Sequence, residues 1–195
     1  MPYYRKLVGQ QCYLSPCSEE DAEHWARWDN DLAASIPLGS EAYSPQAIEH
    51  ARDAVRAAMR DQHHVFTVVD LASDQAIGRT MLFNIDHINQ AAMVGLLIGE
   101  RSAWGKGYGT EALQLVLDYG FNLLNLHNIM LGVYAYNTRA IALYEKVGFK
   151  LIGRRRGVRL LGGVRHDALT MDMLAEEFSS PFVRGVVEQI GTRAG

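Results

Sequence analysis

Residues 104–112, Trp104-Gly105-Lys106-Gly107-Tyr108-Gly109-Thr110-Glu111-Ala112, put three glycines between an apolar strand and the first turn of a helix. Glycine lets a chain turn tightly without a Cβ clash, so several N–H groups converge where the helix dipole adds positive potential. Such a loop suits an anion such as a diphosphate, and Lys106 would add a full charge. The same letters also fit a glycine-rich turn with no ligand and, from Gly107 to Ala112, the dinucleotide pattern G-x-G-x-x-A. That pattern requires an acidic residue about 20 positions on, at the end of the next strand. Tyr134-Ala135-Tyr136-Asn137 stands there instead.

Upstream of the loop, Ala92 to Gly99 reads as an almost wholly apolar, central strand that contains Gly95 and Gly99. Glycine in a buried strand marks a close approach of other backbone. Earlier strands are Cys12 to Ser15, His64 to Asp70 and Ala76 to Ile85, with a turn at Ser73-Asp74 and a hairpin link from His87 to Gln90. Two amphipathic helices separate the first strand from the second. One is capped by Ser18, carries Trp25, Trp28 and Leu32 as its buried stripe and breaks at Ile36-Pro37-Leu38-Gly39; the other opens at Ser44-Pro45 with Ile48, Ala51, Val55 and Met59.

Downstream, Leu113, Val116, Leu117, Phe121 and Leu124 hold one face of a long helix, and a strand runs from Asn128 to Ala135. A helix from Thr138 to Val147 stops at Gly148-Phe149, and strands near Lys150 to Arg156 and Arg165 to Leu174 close the fold. An antiparallel meander followed by one strand–helix–strand crossover predicts an α/β (α+β) fold, with a mixed, mostly antiparallel sheet and helices on both faces.

The 195 residues, 48% hydrophobic, suffice for one domain with a buried core, so residues 1–195 are read as a single domain. The longest apolar stretch, Ala91 to Gly99, is under half of the roughly 20 residues of a membrane helix, and no signal peptide opens the chain. A soluble, cytoplasmic protein without a membrane partner is expected. Net charge −3 with 21% charged residues gives no dominant basic surface, which argues against nucleic acid as a partner. The charge is split: residues 1–97 hold 7 basic and 13 acidic side chains, residues 98–195 hold 12 and 9. That division suits a cationic ligand on one side and an anionic one on the other.

Cys12 and Cys17 match neither a zinc pattern nor a disulfide framework, and His63-His64, His87 and His166 lack ligand spacing, so reduced thiols and no metal are expected. Arg154, Arg155, Arg156 and Arg159 read as a solvated strand edge. The segment 176–195, with Phe178, Phe182, Val183, Val186, Val187 and Ile190, is more apolar than a solvated tail needs; packing in cis or a homodimer is expected.

A second motif follows the strand after the glycine loop: Tyr136-Asn137-Thr138-Arg139-Ala140-Ile141-Ala142-Leu143-Tyr144-Glu145-Lys146-Val147-Gly148-Phe149. Together the two motifs resemble the GNAT superfamily of acyl-CoA N-acetyltransferases, whose diphosphate loop follows Q/R-x-x-G-x-G/A and whose next helix carries N-x-x-A-x-x-x-Y-E-K-x-G-F. The second pattern is matched in full. In the first, Gly107 and Gly109 match, while Trp104 occupies the Gln/Arg position, a departure shared with the ribosomal-protein N-terminal acetyltransferase branch.

The resemblance implies a splay between the fourth and fifth strands, where the pantetheine arm of acetyl-CoA pairs like an added strand near Leu97, Ile98 and Gly99. It implies coenzyme contacts at Trp104, Gly105, Lys106, Gly107, Tyr108, Gly109, Thr110, Asn137, Ala140 and Tyr144. Tyr144 is the expected acid for the departing thiolate, and Glu100, then Glu41, the expected base for the acceptor amine. The acceptor is expected to be a protein or peptide N-terminal amine. The alternatives are a small polyamine or aminoglycoside, or a sensor that binds acetyl-CoA without turnover.

Overall fold

The computed structural model describes residues 3–60, 63–179, 182–183 and 185–187. Eight strands form one sheet: β1 (Leu7–Val8), β2 (Cys12–Pro16), β3 (His64–Asp70), β4 (Ala76–Asp86), β5 (Ala91–Ile98), β6 (Asn128–Tyr134), β7 (Lys150–Leu161) and β8 (Val164–Leu174). Their order is β1-β2-β3-β4-β5-β6-β8-β7, and only β5 and β6 run parallel. The two-residue β1, absent from the sequence reading, makes the strand before the glycine loop the fifth. The expected splay therefore falls between β5 and β6.

Side chains alternate across a strand, so the sheet has two apolar faces. Val68, Leu82, Val94, Ile129 and Leu131 meet Leu113, Val116 and Leu117 of α4 (Tyr108–Asn122), with α5 (Thr138–Val147) beside them. On the other face Val65 and Leu97 meet Trp25 and Trp28 of α1 (Ala22–Asn30) and Ala51 and Val55 of α3 (Ile48–Arg60). Helices thus cover both faces.

Three local readings are corrected. The first helix ends at Asn30 because Asp31 opens a new one, α2 (Leu32–Leu38), with its carboxylate accepting from the Ala33 N–H at 3.0 Å. Leu32 therefore starts α2 at 58% exposure instead of completing the α1 stripe, and Met59 near the end of α3 is 48% exposed. Arg159 is no part of a solvated edge: it is 4% exposed, its guanidinium held between the rings of Tyr43 at 4.2 Å and Tyr134 at 4.8 Å. A flat cation is buried there by aromatic faces, a compensation that charge counting cannot anticipate.

Both cysteines are buried and unbridged, and burial pushes both thiols well above the ordinary range. The apolar C-terminal residues meet the α4 side. Phe178 packs on Phe121 at 5.3 Å, and Asp118 of α4 accepts the N–H groups of Phe182 and Val183, each at 2.9 Å. Val186 and Val187 are exposed, and Ile190 lies outside the described residues.

Glu111, in the first turn of α4, is buried and accepts the backbone N–H groups of Gln11 at 2.9 Å, Cys12 at 3.2 Å and Gln10. One carboxylate thereby ties the β1–β2 turn to the helix that follows the glycine loop. Leaving those donors without an acceptor is expected to cost about 3 kcal/mol in Glu111→Ala. Urea unfolding reads the cost; a midpoint matching the parent would mean that water replaces the carboxylate.

Candidate active site

Pairing between β5 and β6 stops early. Ala91, Ala92 and Met93 face Asn128, Ile129 and Met130, and beyond them the strands part while β4 and β8 stay paired on the outer sides. Along an antiparallel strand, successive residues aim both backbone polar groups alternately at one neighbour and then the other. The Gly99 N–H binds the Ile77 carbonyl at 2.9 Å, so Gly99 and Leu97 address β4. Leu96 and Ile98 address the gap, and the Ile98 carbonyl there accepts from the Trp104 indole at 2.7 Å. Of the three residues read from the sequence, Ile98 offers its N–H to a ligand in the gap, whereas the polar groups of Leu97 and Gly99 are turned away; Leu96 joins the set.

The glycine loop stands at the open end of this V. Gly105 and Gly107 have φ of +73° and +95°, conformations that L side chains rarely adopt, and Gly107 caps α4 without a side-chain bond. Among the described residues, no acceptor takes the N–H groups of Tyr108, Gly109 or Thr110. Gly109 also lacks room for a side chain, since a Cβ would lie 2.8 Å from Leu143 Cδ1 of α5. Hence α4 and α5 approach closely, and the unclaimed amides open onto the gap.

A cavity of about 610 Å³ joins these parts. Trp104, Gly105, Gly107, Gly109 and Thr110 line one end; Asn137, Ala140 and Tyr144 line the α5 side; Glu41, Pro37 and Leu38 close it from the opposite face of the sheet. Asn137 caps α5, accepting from the Ala140 N–H at 3.2 Å, and its amide reaches the Pro37 carbonyl at 3.4 Å. Tyr136 donates to the Ile36 carbonyl at 2.8 Å, and Tyr43 to the Leu160 carbonyl at 2.8 Å. The segment that carries Glu41 is therefore pinned at both ends. One oxygen of Glu41, Oε2, is buried without a hydrogen-bond partner among the described residues.

The acetyltransferase (GNAT) domain family matches residues 11–150. This chain is a GNAT acetyltransferase. It is 31% identical over 177 residues to an uncharacterized N-acetyltransferase p20 of Bacillus licheniformis, covering 89% of this chain and 98% of that one. It is 28% identical over 165 residues to spermidine N(1)-acetyltransferase of Escherichia coli (strain K12), covering 85% and 87%. The crystal structure of spermidine N-acetyltransferase from Vibrio cholerae in complex with CoA and spermine superposes with a TM-score of 0.75 at 25% identity, over 87% of this chain and 98% of that chain.

As a GNAT enzyme it uses acetyl-CoA, and the residues present fit that cosubstrate: unclaimed amides at the α4 start for the diphosphate, and an unpaired strand edge for an amide-bearing arm. Lys106 and Tyr108, read as loop contacts, face away from the main cavity into a second hollow with Asp70, where the Tyr108 hydroxyl donates to Asp70 at 2.6 Å. Three cations that sequence reading missed, Arg79, Arg139 and Lys146, line the main cavity. Arg139 stacks on Trp104 at 4.1 Å, so the residue at the Gln/Arg position of the loop is an aromatic platform for a cation. For Arg139 and Lys146 the signal was present in the helix motif, where they stand two turns apart on one face of α5.

Tyr144 lines the cavity half-buried, its ring edge-on to Phe149 at 6.0 Å and its hydroxyl without a protein partner among the described residues. Burial raises its pKa to about 12. Glu100 does not reach the cavity: it lines the second hollow, and its carboxylate accepts from Trp28 Nε1 at 2.9 Å and from Arg27. The sequence reading ranked it ahead of Glu41 because it follows β5 directly, but the backbone turn there aims it at α1. No group of three metal-ligating side chains occurs among the described residues, and no helix among them is long and apolar enough to cross a membrane.

Two histidines set a pH dependence of stability. Burial, then the nearby Arg27, lowers the pKa of His24; burial, then His87, lowers that of His64, whose Nδ1 lies 2.8 Å from the Tyr119 hydroxyl. Their neutral forms are favoured by folding, so the unfolded chain binds more protons below its own histidine pKa of about 6.5, and stability falls as pH drops through that window. Tm is expected to be level above pH 7 and to decline towards pH 5, with a smaller decline in His64→Gln. An unchanged slope in that variant would remove His64 from the account.

Proposed function

We propose that this chain transfers the acetyl group of acetyl-CoA to a small primary amine that enters as a cation and is held at Glu41. The observation that carries this reading is Glu41, the one carboxylate among the described residues lining the cavity that also holds Tyr144 and the open edge of β5. A half-buried carboxylate in a largely apolar wall gains from a counter-charge, and an ammonium group entering the cavity supplies one. The spermidine acetyltransferases among the relatives support a small amine over the protein N-terminus expected first from sequence.

Acetyl-CoA supplies the activated thioester. Amides at the start of α4, with Arg139 and Lys146, hold its phosphates, and the Leu96 and Ile98 backbone aligns the arm in the gap. The Ile98 N–H is available to the thioester oxygen as negative charge develops there. Glu41 accepts a proton from the bound ammonium, directly or through one water, so that a neutral nitrogen forms the new C–N bond. As the C–S bond breaks, the Tyr144 hydroxyl donates a hydrogen bond to the departing sulfur, and the second proton of the attacking nitrogen, shed as the amide forms, replaces the one the thiolate takes up.

Free-thiol release from acetyl-CoA, measured against spermidine, monoamines, an aminoglycoside and peptides, tests this reading alongside thermal shift with CoA. Turnover on small amines with stabilisation by CoA is the expected result. Stabilisation without turnover on any acceptor would favour a sensor, and no stabilisation would remove both readings.

A further inference from the structure

The cavity is chemically divided in a way that bears on which amine it takes. At the narrow end of the V, where β5 and β6 rejoin at Met93 and Met130, the wall changes from amides to thioethers and a phenyl ring. Met81 lies opposite Gly95 and Phe83 opposite Met93 in the β4–β5 ladder, so these four positions share one face of the sheet. It is the face that also carries Leu97, and the one on which α2 sets Leu38, with Glu41 in the turn that follows. Gly95 leaves a notch between Met81 and Phe83: a Cβ there would lie 3.4 Å from Met81 Cγ and 3.6 Å from Phe83 Cε1.

Charge in the lining is equally uneven. Glu41 is the one carboxylate among the described lining residues, beside the cations Arg79, Arg139 and Lys146. Arg79 is committed, since its guanidinium binds Asp29 through two bonds of 2.7 and 3.1 Å and stacks on Trp25 at 4.1 Å. Arg139 stacks on Trp104 at the coenzyme end. An ammonium at Glu41 therefore finds one counter-charge, and whatever extends beyond it meets Met81, Met93 and Phe83.

From this division we infer that the preferred acceptor is a small monoamine with an apolar, preferably aromatic, body lying over Gly95, and not a polyamine. The inference rests on the acetyl-transfer reading above and narrows it. A polyamine would have to place a second ammonium against sulfur and phenyl, where the loss of hydration outweighs what a single phenyl face returns. An apolar body gains there, both by leaving water and through sulfur–aromatic contact.

The test compares 2-phenylethylamine, hexylamine, spermidine and a short peptide at saturating acetyl-CoA. The expected kcat/KM for 2-phenylethylamine exceeds that for spermidine by at least about tenfold. Met81→Glu, which places a second carboxylate in the apolar wall, is expected to move that ratio towards spermidine by about tenfold. Retained stabilisation by CoA shows that this variant is folded. Gly95→Ala, whose methyl group fits the available space, fills the notch and is expected to raise KM for 2-phenylethylamine several-fold more than KM for hexylamine. Spermidine preferred by the parent enzyme, acetylation confined to the peptide, or a ratio unmoved by either folded variant would overturn the inference while leaving acetyl transfer intact. No turnover on any amine, with CoA still stabilising the protein, would overturn both.

Discussion

Tyr144→Phe is expected to lower kcat about a hundredfold while KM for acetyl-CoA changes little. The ring fills the same space in the variant, so its edge-on contact with Phe149 and the wall of the cavity survive. Only the hydroxyl is lost, and that hydroxyl has no protein partner whose loss would disturb the fold among the described residues. Its raised pKa of about 12 sharpens the chemistry. Against a thiol of pKa about 8.5, proton transfer from the phenol even to the freed thiolate is uphill by about 5 kcal/mol, so the phenol acts as a hydrogen-bond donor while the C–S bond breaks and passes on a proton only as the attacking nitrogen sheds one. The same value keeps the group protonated through pH 10, so it introduces no alkaline fall in rate below that point. Stopped-flow thiol detection across pH 6–10 measures both effects. A kcat within about twofold of the parent would take Tyr144 out of the reaction.

Glu41→Gln separates charge from shape at the other end of the cavity. The amide keeps the volume and one acceptor oxygen but cannot neutralise an ammonium, and a hydrogen bond to a charged group contributes about 1.5–3 kcal/mol. KM for the amine is therefore expected to rise roughly 10- to 100-fold, with KM for acetyl-CoA and stabilisation by CoA unchanged. A larger loss in kcat than in KM would point to proton acceptance as the main task of Glu41, and a larger rise in KM to binding. If both constants stayed at parental values, the amine would have to be held elsewhere, and the unpartnered oxygen would be a structural accident.

Much of this architecture was legible because it rests on local rules. Apolar Ala92 to Gly99, the glycine run and the stripe from Leu113 to Phe121 each follow from backbone geometry and periodicity, and together they place a strand, an anion-binding turn and a helix in the right order. What stayed hidden depends on contacts distant in sequence. The burial of Arg159 needs Tyr43 and Tyr134 from two other elements. The diversion of Glu100 needs Trp28 and Arg27 from α1. Strand parity decides whether Leu97 or Ile98 faces the gap, and parity follows from the ladder with β4, which composition does not reveal. The missing β1 is two residues long, too short for any periodic signal.

The turn that carries Glu41 hangs from the last hairpin through Tyr43, whose hydroxyl rests on Leu160 and whose ring covers Arg159. Both partners lie in β7, the strand that pairs with β8 at the sheet edge. What grips the donor, the glycine loop and the β5 edge, uses neither of them, whereas the seat of the recipient is slung between that hairpin and the Asn137 cap of α5. A change in the hairpin therefore reaches the recipient without touching what holds the donor.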